Sequence, residues 1–128
     1  MMAIRGERTG GRSFQPRLSG VLIFLAVTAC GDPSAERGLY YYGGEVNVVC
    51  PCGGDSCYWV RGAAAVLDPM KRFVLKNAAT PYQPMYLQYR GEALKETPVG
   101  FAANYDGLYR IDSVLAIDST LPADCQAR

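Results

Sequence analysis

The sequence predicts a small all-β domain with one helix: an antiparallel β-barrel of about five strands. Three observations predict it. Apolar and polar residues alternate with a period of two over several short stretches between residues 39 and 118. Glycine and proline signals separate those stretches, and only one segment, around residue 70, changes to helical spacing. A domain this small cannot cover exposed strand edges with other elements, and closure into a barrel removes them.

The elements follow in chain order. Leu39 to Tyr42 is aromatic and β-favouring, and Val46, Val48 and Cys50 share one face of the next strand, Glu45 to Cys50. Gly53-Gly54-Asp55 marks a turn into Cys57 to Arg61, so these two strands form a hairpin. Asp68-Pro69 is a helix start, with an N-cap carboxylate and proline in the first turn. Met70, Phe73 and Val74 then follow at helical spacing while Lys71, Arg72 and Lys76 face away. The alanine-rich residues 63–67 offer a backward extension that would leave Pro69 at a kink. Met85, Leu87 and Tyr89 alternate with Gln88 and Arg90, and Tyr109, Ile111, Leu115 and Ile117 alternate with Arg110, Asp112 and Asp118. Each strand is expected to carry one apolar and one wet face. Turns fall at Gly43-Gly44, at Pro81 to Pro84 and in the loop Lys95 to Gly107.

Ahead of this domain stands an export signal. Arg5, Arg8, Arg12 and Arg17 oppose a single acid, Glu7, and are followed by the apolar run Leu18 to Thr28. That run is too short for a membrane-spanning helix, which needs about 20 residues. It ends Val27-Thr28-Ala29-Cys30, which is similar to a bacterial lipobox, so residues 1–29 read as a lipoprotein signal peptide and Cys30 as the lipidation site. Residues 30–37 read as a lipidated tether and 38–128 as the domain. The acyl chains, palmitate among them, place the protein on a membrane without a transmembrane helix. Gly31 rather than Asp after Cys30 points to the outer membrane, on its periplasmic face.

Without residues 1–29, 99 residues remain, and of 13 basic and 12 acidic side chains 9 and 11 are left, a net charge of −2. That balance gives no electrostatic reason to expect nucleic acid as a partner. The sequence holds no histidine, so Ser-His and Cys-His nucleophilic pairs are excluded and the domain is read as non-enzymatic, with no cofactor beyond the covalent lipid at Cys30.

Four cysteines remain if Cys30 is lipidated: Cys50, Cys52, Cys57 and Cys125. In an oxidising compartment an even set reads as disulfide staples. A direct Cys50–Cys52 bond would be strained, so Cys57 is expected across the hairpin from either Cys50 or Cys52, and Cys125 takes the other. The alternative is a soft-metal site for copper at Cys50, Cys52 and Cys57, with Met70 and Met85 as thioethers. The favoured assignment has no metal ligands, since oxidised cysteines and core methionines account for the same residues. A redox-reporting role would use the same thiols, the more exposed bridge being the more easily reduced. Tyr86 and Arg90 are candidates for a binding surface toward an envelope protein or a glycan.

The order of motifs "RGLYYY" (Arg37 to Tyr42), "VVCPC" (Val48 to Cys52), "YWV" (Tyr58 to Val60), "PMYLQYRGEAL" (Pro84 to Leu94), "VLAID" (Val114 to Asp118) and "LPADC" (Leu121 to Cys125) resembles the C-terminal OB-fold domain of the NlpE outer-membrane lipoproteins. Those proteins act in copper homeostasis, surface adhesion and activation of the Cpx envelope-stress response. The resemblance covers nearly all of the mature chain and implies that the small antiparallel β-barrel of about five strands is OB-like. It implies a disulfide between Cys52 and Cys125, which leaves Cys50 and Cys57 to pair with each other. It also implies a structural, binding or stress-reporting role. The family's N-terminal barrel, with its Cys-x-x-Cys motif, has no counterpart between Cys30 and Arg37, so functions that depend on that barrel do not carry over.

Overall fold

The structure, a computed structural model, describes residues 34–127; the expected signal peptide at 1–29 and the expected lipidation site Cys30 lie outside the described residues. Five strands, β1 (Glu36–Gly43), β2 (Val46–Pro51), β3 (Tyr58–Arg61), β4 (Met85–Leu94) and β5 (Leu108–Asp118), close into a barrel in the order β1-β2-β3-β5-β4. One helix, α1 (Ala64–Asn77), joins β3 to β4, and a 3₁₀ turn, Gly100–Asn104, lies between β4 and β5. Among the described residues no helix is long and apolar enough to cross a membrane.

The barrel is OB-like, but one pairing is parallel: β3 runs beside β5, with Trp59 opposite Leu108 and Arg61 opposite Arg110. Parity requires this. Strand direction cannot alternate all the way round a ring of five, so one neighbouring pair must run the same way, and α1 supplies the crossover that makes it possible. The remaining four pairings are antiparallel. Their register places the start of β1, β3 and β5 and the finish of β2 and β4 at one end of the barrel. The β1–β2 turn and α1 lie at the other.

Strand alternation then sorts the side chains. Tyr40, Val49 and Met85 stand side by side across β2-β1-β4 and point inward, with Leu87, Tyr89 and Ile111 filling the same interior. Leu67, Met70 and Val74 of α1 close that core from the helix end. This stripe explains why the helix begins a turn earlier than Asp68. Burying Leu67 requires the alanine-rich lead-in to be helical, so Ala63 becomes the N-cap, without a side-chain capping bond, and Pro69 falls inside. Pro69 has no N–H to offer the Ala65 carbonyl, and the helix continues to Asn77 past that missing bond. Strand β1 likewise starts at Glu36, so the last two residues assigned to the tether belong to the barrel.

Register shifts between Gln88 and Tyr89 and between Arg90 and Gly91 bend β4 against β5. Gly91 sits at the second shift because a Cβ there would overlap the Arg110 carbonyl oxygen. The strand faces differ from expectation in one respect. Val46, Val48 and Cys50 do share a face, but it is the outer one, and on β1 and β2 both faces are apolar. A second cluster outside the barrel accounts for this: Leu39, Tyr86 and Cys125, packed with Tyr41, Cys52 and Leu121.

Candidate functional site

The outer cluster exists because the C-terminal segment folds back over β1 and β2. Two covalent bonds fix the geometry: Cys50 to Cys57, with sequence separation 7, and Cys52 to Cys125, with sequence separation 73. These are the two pairs implied by the resemblance. Cys50, opposite Leu39 on β1, ties the end of β2 to the start of β3. Cys52 donates its backbone N–H to the Arg37 carbonyl at 2.9 Å, extending the β1–β2 ladder by one bond to the point where Cys125 is held.

Arg37 completes the clasp. Its guanidinium forks onto the Asp124 carboxylate at 2.8 and 2.9 Å, while Nε donates to the Tyr86 hydroxyl at 2.6 Å. The hydrogen bond from Arg37 holds the Asp124 carboxyl below its ordinary pKa. The carbon of the guanidinium also lies 5.4 Å from the centre of the Tyr86 ring. One side chain therefore joins β1, β4 and the C-terminal segment.

Beside the clasp runs a groove of about 700 Å³. Leu39, Tyr41, Val46 and Val48 give it an apolar lining, to which both disulfides and the turn Gly53-Gly54-Asp55 contribute. Tyr82 and Tyr105 also border it. Tyr82 has a left-handed backbone, φ 59°, and its ring lies against Gly43, where a Cβ would have no room. Tyr105 stacks at a tilt on Trp59, centroids 5.9 Å apart, and Asp106 accepts from the Cys57 backbone N–H at 2.8 Å. The groove offers apolar area, tyrosine hydroxyls and carboxylates, a lining suited to binding.

The proposed surface pair is placed differently from expectation. Tyr86 does point out of the barrel, but the C-terminal segment covers it to 8 % exposure and its hydroxyl is shared between Arg37 and Gln88. Arg90 donates to the Ser34 hydroxyl at 3.2 Å. Tyr86 is thus part of the clasp, and the accessible tyrosine on this side is Tyr82, at 50 %. The copper set is not brought together. Met70 and Met85 lie in the interior core, whereas Cys50, Cys52 and Cys57 are bonded on the outer face. Among the described residues no three of His, Cys, Asp and Glu are grouped to hold a metal ion.

Sequence reasoning missed the groove and, among the tyrosines, favoured Tyr86 over Tyr82. The signal was present in β1, where Leu39 and Tyr41 are as apolar as Tyr40 and Tyr42, a pattern that marks a strand covered on both faces. No protein-family model, curated protein or solved structure matches the chain.

Proposed function

We propose that the chain is a lipid-anchored, non-enzymatic envelope protein, held at the outer membrane through Cys30. Its domain, similar to the NlpE C-terminal barrel, serves as a binding module whose groove is governed by disulfide state. The observation that carries this reading is the clasp: Cys52–Cys125 and Arg37–Asp124 hold the C-terminal segment beside an apolar groove that both disulfides line. The basic segment, the short apolar run and Ala29-Cys30 support the anchor. The absence of histidine and the apolar lining favour binding over catalysis.

The test is affinity capture from envelope extract under non-reducing conditions, comparing the parent with Val46→Arg, which places a charge at the half-buried edge of the groove. A defined component retained by the parent and lost by Val46→Arg, with lipid found on the Cys30 peptide by mass spectrometry, is the expected result. Equal capture by both proteins counts against the groove. Mapping of the Cys52–Cys125 bond before and after thiol stress tests the reporting role, and an unchanged bond counts against it.

A further inference from the structure

We propose that the tip of the β4–β5 connection, Pro98 to Ala103, is a second membrane contact that inserts into the surface of the same bilayer as the anchor. The proposal rests on the lipid-anchor reading above.

Pro98-Val-Gly-Phe-Ala-Ala103 is an uncharged run in a connection that otherwise carries Lys95, Glu96 and Asp106. Val99 is 72 % exposed and Phe101 55 %, two large apolar side chains either side of Gly100, whose φ of +65° turns the chain between them. Exposure of this kind at a tip rimmed by polar residues marks an interaction surface. The tip is seated from both flanks. Glu96 pairs with Arg61 at 3.1 Å, Asp106 accepts from the Cys57 N–H, and Ala102 is buried beneath. Val99 and Phe101 are therefore held out by the fold.

The direction of β1 selects the occupant. β1 is antiparallel to β4, with Glu36 beside Tyr89, and the Ser34 hydroxyl meets Arg90. Followed backward, the chain runs along β4 toward Leu94, where the connection bearing the tip begins. Four residue steps separate Ser34 from Cys30, which span at most about 14 Å. Acyl chains at Cys30 thus bring this end of the barrel within about 14 Å of the lipid, and each interfacial layer is itself roughly 5–8 Å deep. An exposed valine and phenylalanine at the end facing the bilayer suit its interfacial layer. Leu75 on α1, 71 % exposed at the opposite end, serves as the internal control.

The full lipidated protein is reconstituted into vesicles of phosphatidylethanolamine and phosphatidylglycerol, with brominated acyl chains in half of the preparations. Phe101→Trp, Val99→Trp and Leu75→Trp are compared, and the emission of the native Trp59 is subtracted using the parent. The indoles introduced by Phe101→Trp and Val99→Trp should shift to the blue and lose emission to the brominated lipid, while that of Leu75→Trp does neither. Absence of quenching at both tip positions overturns the proposal, as does a blue shift without quenching, which would mean that a second copy or a protein partner covers the tip. Flotation of the parent and the mass of the Cys30 peptide report the anchor separately. A floating protein with an unquenched tip defeats the contact alone; an unlipidated Cys30 with a quenched tip defeats the anchor and leaves the contact standing.

Discussion

Tyr89 and Tyr109 meet edge to face in the barrel interior, ring centroids 5.5 Å apart, with both hydroxyls buried beside the Glu36 carboxylate but short of a well-formed hydrogen bond to it. A buried hydroxyl that is incompletely satisfied costs up to about 1–3 kcal/mol of desolvation, a penalty that phenylalanine does not carry. The rings themselves supply the packing, so Tyr89→Phe is expected to raise stability by about 1 kcal/mol, read as a higher denaturant midpoint at unchanged slope. A loss of stability would mean that the hydroxyl is satisfied in solution. Neither feature was legible in the sequence, where Tyr89 and Tyr109 are simply apolar positions in an alternating pattern. Their burial follows from the period, but their mutual contact depends on the register shifts at Tyr89 and Gly91, which no local pattern encodes.

At the scale of elements, the hairpin β2–β3 and the C-terminal segment are held by bonds that close very different lengths of chain. Loop-closure entropy assigns about 2.5 kcal/mol to a short loop such as Cys50–Cys57 and about 4.4 kcal/mol to the long one closed by Cys52–Cys125. The Cys52→Ala/Cys125→Ala pair should therefore lower stability more than Cys50→Ala/Cys57→Ala, by about 2 kcal/mol in the difference, measured by urea unfolding of each double variant. The reverse order would show that the C-terminal segment contributes little once the barrel has formed. The strands were legible because their alternation is regular and glycine or proline bounds most of them. The start of α1 was not, because Asp68-Pro69 is a strong local helix-start signal that tertiary burial of Leu67 overrides. The groove was not legible either, since a C-terminal segment without strand periodicity gives no sign of what it will cover.

For the molecule as a whole, three interior tyrosines set its alkaline limit. Burial raises Tyr40, Tyr89 and Tyr109 above their ordinary pKa near 10, and the Glu36 carboxylate adds to the effect at the latter two. The unfolded chain then loses these protons at lower pH than the folded one, so the unfolded state binds fewer protons and stability falls as pH rises. Stability should be flat below about pH 10 and decline above it, with the tyrosinate absorbance of the interior residues appearing together with unfolding. Ionisation of Tyr40, Tyr89 and Tyr109 near their ordinary value while the barrel stays folded would contradict the buried assignment. At this scale the sequence was most informative: length, period and turn signals were sufficient for a closed barrel of five strands, and only the parallel seam between β3 and β5 departs from the expected antiparallel closure.

The clasp also decides how the domain carries a mechanical load. With the anchor proposed above, a pull from the N-terminal side enters at Glu36, the start of β1, and a pull on the C-terminal segment enters at Cys125. Cys125 is bonded to Cys52, and Cys52 is hydrogen-bonded to Arg37, one residue from the point where the first force enters. Tension between the two ends of the domain thereby runs through neighbouring residues of β1 and β2, and through the stretch of β4 that β1 and Arg37 hold, without having to cross β3, α1 or β5. With the bond intact the rest of the barrel is a bystander to the force; once it is reduced, β5 becomes part of the load path and the same pull peels it from β3 and β4.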